Sequence, residues 1–326
     1  MSSRLFIREL SANDYTRSGW DLAICVSLFF QGVLCAQFAH YMTLSKRDSI
    51  WLKLFVTGLA VLSVARCCQC LAIMWMQNVT LFPSVEAAST LWLRHWVPKS
   101  NIMLEATGAL YVQIFFSRRL WASAISRNAY IVTICLIFFA LGLVTAVVGT
   151  VCLFVNRITW TAGLISLHLG LVLCGDSLLT ASTVFYLLRH YNASILSRSP
   201  FAIKMKLLVR LTIQSAAPAA ICTFINLVAD MRLFLDEIED PRALMAAFIL
   251  IIALPQLYAW SAMWTLNSRE DIWVAVDNRT YTVNLATSAV LADLRSVRGP
   301  HVGEVPFQGT QNNFAPSREN EKLLSV

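Results

Sequence analysis

Long apolar runs separated by short polar connections dominate this chain. A helix that crosses a bilayer needs about 20 mostly apolar residues at about 1.5 Å of rise each. Seven stretches meet that length: about Trp20 to Leu44, Ile50 to Trp75, Ile102 to Ala122, Ala129 to Phe154, Gly163 to Leu188, Leu207 to Asp230 and Ala243 to Leu266. The pattern predicts an all-α membrane protein, a seven-transmembrane-helix bundle over residues 20–267. Residues 1–19 form a polar segment ahead of it, without the apolar core of a cleavable signal, so the first span is expected to serve as the insertion signal. Residues 268–326 form a polar tail with Pro300, Pro306 and Pro316, expected to be largely disordered.

Composition agrees with this pattern. Hydrophobic residues make up 57% and charged residues 14% of 326, against about 45–50% and 25% in soluble domains. So little charge does not coat a soluble globule of this size, which excludes a soluble enzyme and a secreted disulfide scaffold. The nine cysteines lie in or beside apolar runs, Cys67, Cys68 and Cys70 included, and read as small buried hydrophobes.

The net charge of +7 lacks the basic stripe with aromatics that nucleic acid requires, so the cations speak to orientation instead. With the N-terminus outside, the inner loops and their flanks hold eleven: Lys46, Arg47, Lys53, Arg118, Arg119, Arg127, Arg189, Arg198, Lys204, Lys206 and Arg210. The outer loops hold five: Arg94, Lys99, Arg157, Arg232 and Arg242. Positive residues favour the cytoplasmic side, which puts the tail there too. Asp236, Glu237, Glu239 and Asp240 then fall outside, as does Asn78 in the sequon Asn78-Val79-Thr80, a glycosylation candidate. The cluster Arg189, Arg198, Lys204 and Lys206 suits anionic lipid or an acidic cytoplasmic partner.

Ionisable groups inside a membrane are costly, so they normally face the bundle interior and a partner. Asp176 lies midway along the fifth span, with Thr180 and Thr183 on the same face. This stripe reads either as a ligand site or as a hydrogen-bonded structural carboxyl. Arg66 in the second span and Glu105 in the third lie at similar depths, and read as an anion-binding pair or a structural ion pair. Ser215, Thr223, Asn226 and Asp230 form a stripe on the sixth span beside Pro218, where a kink is expected. His168 reads as a helix–helix hydrogen bonder. Trp260 and Trp264 read as interfacial anchors. No phosphate loop, catalytic carboxylate pair or zinc-spaced set is present, so the expectation is a non-enzyme without a cofactor.

The motifs YVQIFFSRRLWASAISRNAYIV (from Tyr111), GDSLLTASTVFYLLRHY (from Gly175), LVRLTIQSAAPAAICTFINLV (from Leu208) and LYAWSAMWTLNSRE (from Leu257) resemble those of basidiomycete fungal seven-span membrane proteins whose C-terminal half is a domain of unknown function. The resemblance spans roughly residues 25–270 and implies the seven-span fold and a membrane address. The expected function is a receptor-like sensor, multi-pass and in the plasma membrane, binding a small molecule through Asp176, Thr180, Thr183, Asn226, Asp230, Arg66 and Glu105. The alternative is a small-solute or proton-coupled transporter, which predicts paired polar breaks in corresponding halves.

Overall fold

A computed structural model describes residues 2–44, 48–81, 87, 90–123, 129–195, 200–234, 245–246 and 248–269. Among them the chain is almost entirely helical, and no strand forms. The helices are α1 (Ser2–Leu44), α2 (Ile50–Trp75), the short α3 (Leu91–Arg94) and α4 (Trp96–Lys99), α5 (Asn101–Ser123), α6 (Ala129–Phe154), α7 (Ile158–Ile195), α8 (Pro200–Phe234) and α9 (Phe248–Arg269). The second and fourth predicted spans coincide with α2 and α6. The first, fifth and sixth spans continue as helix past their apolar cores, α1 from Ser2 and not Trp20. Apolarity marks only what lies in hydrocarbon, while i→i−4 bonding continues into polar sequence.

Among the described residues, five helices are long and apolar enough to cross a membrane: Arg17–Leu44, Ile50–Thr80, Tyr130–Phe154, Thr159–Tyr186 and Phe248–Arg269. The other two predicted spans are present as α5 and α8, whose sequences carry more polar and charged residues. The protein is therefore a multi-pass membrane protein by helix length and composition. Exposed aromatic residues gather at the helix ends: Trp51, Trp121 and Tyr130 at one end, Trp75, Trp96 and Trp160 at the other. That is the placement of two interfacial belts. Valines and isoleucines of α6, such as Ile137, Val144 and Val151, lie exposed between them.

Helix α9 is the axis of the bundle. Its apolar window is 61% buried, against 28–39% for the other four spanning helices. Leu254, Tyr258, Ala262, Met263 and Leu266 join the central core with Leu34 of α1, Leu59 of α2, Val112 of α5, Leu169 of α7 and Ala219 of α8. At its C-terminal end Arg269 bonds Asp48 at 3.1 Å, and Asn267 donates to the Gln37 carbonyl at 3.1 Å. This clamps α9 to the α1–α2 connection.

At the opposite end of the bundle, α2 runs into a single π-helical turn, Met76–Thr80. The wider turn carries both Gln77 and Asn78 toward α1. Gln77 donates to the Arg17 carbonyl at 3.1 Å, and Asn78 donates to Asp21 at 2.7 Å while accepting from Arg17 at 3.1 Å. The sequon asparagine thus already holds two helices together. The turn from α6 to α7 closes on Asn156, whose φ of 59° is left-handed and suits asparagine. The amide of Arg157 donates to the Cys152 carbonyl at 2.9 Å across that turn.

The acidic cluster at 236–240, the inner-loop cations Lys46, Arg47, Arg127 and Arg198, and the tail from residue 270 lie outside the described residues. So do the side chains of Lys204, Lys206, Arg210 and Ser215.

Glycine 175 measures how tightly α7 packs on α6. A Cβ added there would stand 2.3 Å from Cε1 of the buried Phe139 ring. Gly175→Ala is therefore expected to cost about 1–3 kcal/mol, as overpacked cores do. Adding Phe139→Leu should restore much of it, read as unfolding temperature in detergent.

Candidate functional site

The polar interior has two levels. The deeper one centres on Asp176 of α7. Gln113 of α5 donates to one carboxylate oxygen at 3.0 Å, and the Tyr258 hydroxyl of α9 donates to the other at 2.5 Å. The Tyr258 oxygen lies 3.2 Å from Thr223 Oγ1 of α8, and Thr223 also holds the Ala219 carbonyl at 2.8 Å. One carboxylate thereby joins α5, α7, α8 and α9. Gln113, Tyr258 and Thr223 are all buried, so each bond replaces water that hydrocarbon does not supply.

Sequence periodicity places Asp176 correctly but misplaces its company. Thr183 turns its hydroxyl back onto the Leu179 carbonyl at 2.7 Å, and neither Thr183 nor Thr180 joins the carboxylate. Short β-hydroxyl side chains reach their own i−4 carbonyl more readily than a group one or two turns away. The partners come instead from two other helices, and Gln113 and Tyr258 carry no local signal that would single them out. Asp230 accepts from Ser166 of α7 at 2.5 Å. His168 of α7 lies 2.8 Å from the Gly142 carbonyl of α6, a bond between helices. Asn226 is buried, and its Nδ2 has no partner. Helix α8 runs unbroken through Pro218.

The upper level surrounds Arg66, which is 2% exposed. The expected Arg66–Glu105 ion pair does not form. Arg66 Nη1 donates to Gln69 at 2.8 Å and to the Asn101 side chain. Asn101 lies one helical turn N-terminal to Glu105 on α5, so the long arginine extends past the acid toward the end of the helix, as snorkelling side chains do. Gln69 donates to the Val97 carbonyl at 2.9 Å and to Ser100 at 3.0 Å. Arg66 and Gln69 together fasten the α4–α5 connection over this end of the bundle. Glu105 is buried, lies within electrostatic range of Arg66 and Asp230, and has no partner for Oε1.

Beside Arg66 lies a cavity of about 20 Å³, walled by Leu59, Leu62, Ser63, Leu104, Gly108, Pro255, Gln256 and Ala259. It lies where α2, α5 and α9 meet. Gln256 donates to Gln31 of α1 at 3.2 Å, and Gln31 donates to Ser63 at 3.5 Å. Arg66 Nε and Nη2 and Gln256 Oε1 are buried without partners. Native interiors rarely leave such groups unpaired outside functional sites. Of the sequence-predicted site residues, Asp176 stands at the lower level and Arg66 and Glu105 at the upper one. Asn226 and Asp230 line the α8 side, and Thr180 and Thr183 stand apart.

Residues 172–271 match a family of unknown function, DUF6534. The match begins near the middle of α7 and ends just beyond α9, so it contains Asp176, Thr223, Asp230, Gln256 and Tyr258 but not Arg66, Glu105 or Gln113. Comparison with curated proteins and with solved structures finds no match.

Two mutational series test the two levels. Asp176→Leu strands the Gln113 amide and the Tyr258 hydroxyl and should cost about 1–3 kcal/mol. Asp176→Asn should cost less, since an amide still accepts from Gln113. A cycle of Asp176→Leu with Tyr258→Phe should be non-additive in unfolding temperature.

At the upper level, Arg66→Leu and Asn101→Leu should likewise couple, by about 0.5–3 kcal/mol in the same measurement. Simple additivity would show that the two do not interact.

Proposed function

We propose that this protein is a receptor-like seven-helix sensor, without catalytic activity, that receives a small polar ligand in the outer-half cavity beside Arg66. The observation that carries this reading is one interior carboxylate, Asp176, which ties α7 to α5 and α9 directly and to α8 through Tyr258, two residues along α9 from the cavity wall. Gln256 lines the cavity and Tyr258 reaches Asp176 from two residues further along α9. A ligand that takes hydrogen bonds at Gln256 would therefore bias the setting of α9, and α9 ends at Asp48 through Arg269. A rigid helix with differential contacts at both ends is a physical route from an outer site to an inner surface.

Seven spans, an outside N-terminus and a plasma-membrane address belong to this reading, supported by helix lengths, the loop cations and the basidiomycete resemblance. Anionic lipid or an acidic cytoplasmic partner at the basic inner loops completes it. A small-solute or proton-coupled carrier is the second reading, favoured by three carboxylates, Glu105, Asp176 and Asp230, inside one bundle.

The test uses the full chain in lipid nanodiscs with fluorophores at the exposed Met42 and Trp121 positions. Small polar solutes should change the distance between these inner ends, and Asp176→Asn should weaken that change while leaving the fold intact. Solute accumulation in proteoliposomes without such a change would replace the sensor by the carrier. Cleavage at Arg318 by protease added outside intact cells would overturn the orientation.

A further inference from the structure

We infer that the seam between α2 and α5 holds the phosphate of an anionic phospholipid at Arg118, on the end of the bundle that carries Asp48 and Arg269. This deepens the anionic-lipid part of the reading above and rests on it, moving the contact from loop cations to residues fixed on helices. A row of stacked groups joins the two helices. Phe55 of α2 lies 5.1 Å from the Tyr111 ring and 4.3 Å from the Phe115 ring of α5, nearly parallel to both. Tyr111 also donates to the Phe55 carbonyl at 3.1 Å, and Gly58 leaves no room for a Cβ beside its hydroxyl. One turn further along each helix the row ends in a cation. The Arg118 guanidinium lies 4.0 Å over the Trp51 ring.

Arg118 is exposed, and among the described residues it meets no carboxylate. The ring contact occupies a face of the guanidinium and leaves its in-plane N–H groups, which match two phosphate oxygens at once. Ile114, Arg118 and Trp121 recur at i, i+4 and i+7, so they share one face of α5, and all three are exposed. Trp121 and Trp51 belong to an interfacial belt. Arg118 lies three residues from Trp121 on the side of the bundle's middle, about 4.5 Å along the helix. That is head-group depth. Below it the exposed Ile114 of α5 and Leu54 and Val61 of α2 offer an apolar bed for the acyl chains. The charge selects the lipid. Among the described residues Asp48 is the carboxylate at this end, and Arg269 already pairs with it, while Lys53, Arg118 and Arg119 remain. A zwitterionic head group would bring its own cation among these three, and an anionic one does not.

The experiment titrates the full chain in detergent with phosphatidylglycerol or phosphatidylcholine at about 0.15 M salt, where remote charges are screened. Retained lipid is counted by native mass spectrometry, and unfolding temperature is read in parallel. Phosphatidylglycerol should be retained and should raise the unfolding temperature in a dose-dependent way, and phosphatidylcholine should do less of both at equal concentration. Arg118→Gln should weaken phosphatidylglycerol binding about tenfold. Trp51→Leu changes no charge but frees the guanidinium, and should weaken it about threefold. Trp51→Phe, which keeps a ring face, should stay near the unsubstituted protein. Arg157→Gln removes the same charge from the opposite end and should weaken binding about twofold at most. Arg118 and Trp51 are exposed or nearly so, and the lipid-free unfolding temperature of each variant reports that it folds.

Phosphatidylcholine matching phosphatidylglycerol would overturn the assignment. Equal losses from Arg118→Gln and Arg157→Gln would do so too, since diffuse surface charge would then account for the binding, and so would Trp51→Leu binding as tightly as the unsubstituted protein. The broader reading fails separately. A preference for phosphatidylglycerol that survives both Arg118→Gln and Trp51→Leu would return the lipid to the loop cations Arg189, Lys204 and Lys206 and remove it from this seam.

Discussion

Polar groups buried in hydrocarbon must find one another, and the contact between Tyr258 and Asp176 is where this requirement organises the molecule. The carboxylate has two oxygens and takes one donor on each, from Gln113 and Tyr258. Because those donors come from α5 and α9, satisfying one acid on α7 sets the relative height and rotation of three helices, and Thr223 adds the fourth. Apolar packing between helices is nearly as favourable in many rotations, since lipid tails are as apolar as leucine. A hydrogen-bonded hub is not, because a rotated helix strands its polar group.

The same constraint explains the upper level. Arg66 could not remain beside α5 without partners, and it finds them by reaching to Asn101 while Gln69 holds the Val97 carbonyl and Ser100. The result is a tied-down α4–α5 connection and an arginine in the cavity wall whose Nε and Nη2 are buried without partners. The deeper hub is satisfied and rigid, whereas the upper level is buried but incomplete. That difference in satisfaction, more than depth or charge, is why the proposed ligand site is placed at the upper level and not at Asp176. Helix α9 connects the two levels and continues to the Asp48–Arg269 ion pair.

The DUF6534 match covers the half of the bundle that supplies Asp176, Thr223 and Tyr258. The cavity's distinctive cation and its acidic neighbour, Arg66 and Glu105, come from the other half. The hub and the cavity are therefore assembled across the two, and α9, within the matched region, packs on both.

Apolar run lengths alone determined that the chain is a helical membrane protein and where α2 and α6 begin and end, because hydrocarbon thickness sets the length of a span. They also showed that Asp176, Arg66 and Glu105 must face inward, because a charge in lipid is too costly to leave unpartnered. Which groups they meet was decided only in three dimensions. Periodicity assigns residues to one face of one helix, so it offered Thr180 and Thr183 to Asp176, and similar depth along two helices offered Glu105 to Arg66. The actual partners, Gln113, Tyr258 and Asn101, lie on other helices, with Tyr258 82 residues from Asp176. Their choice rests on helix rotation and relative height. These are set by the sum of packing and hydrogen bonds over the whole bundle, which no local stretch of sequence contains.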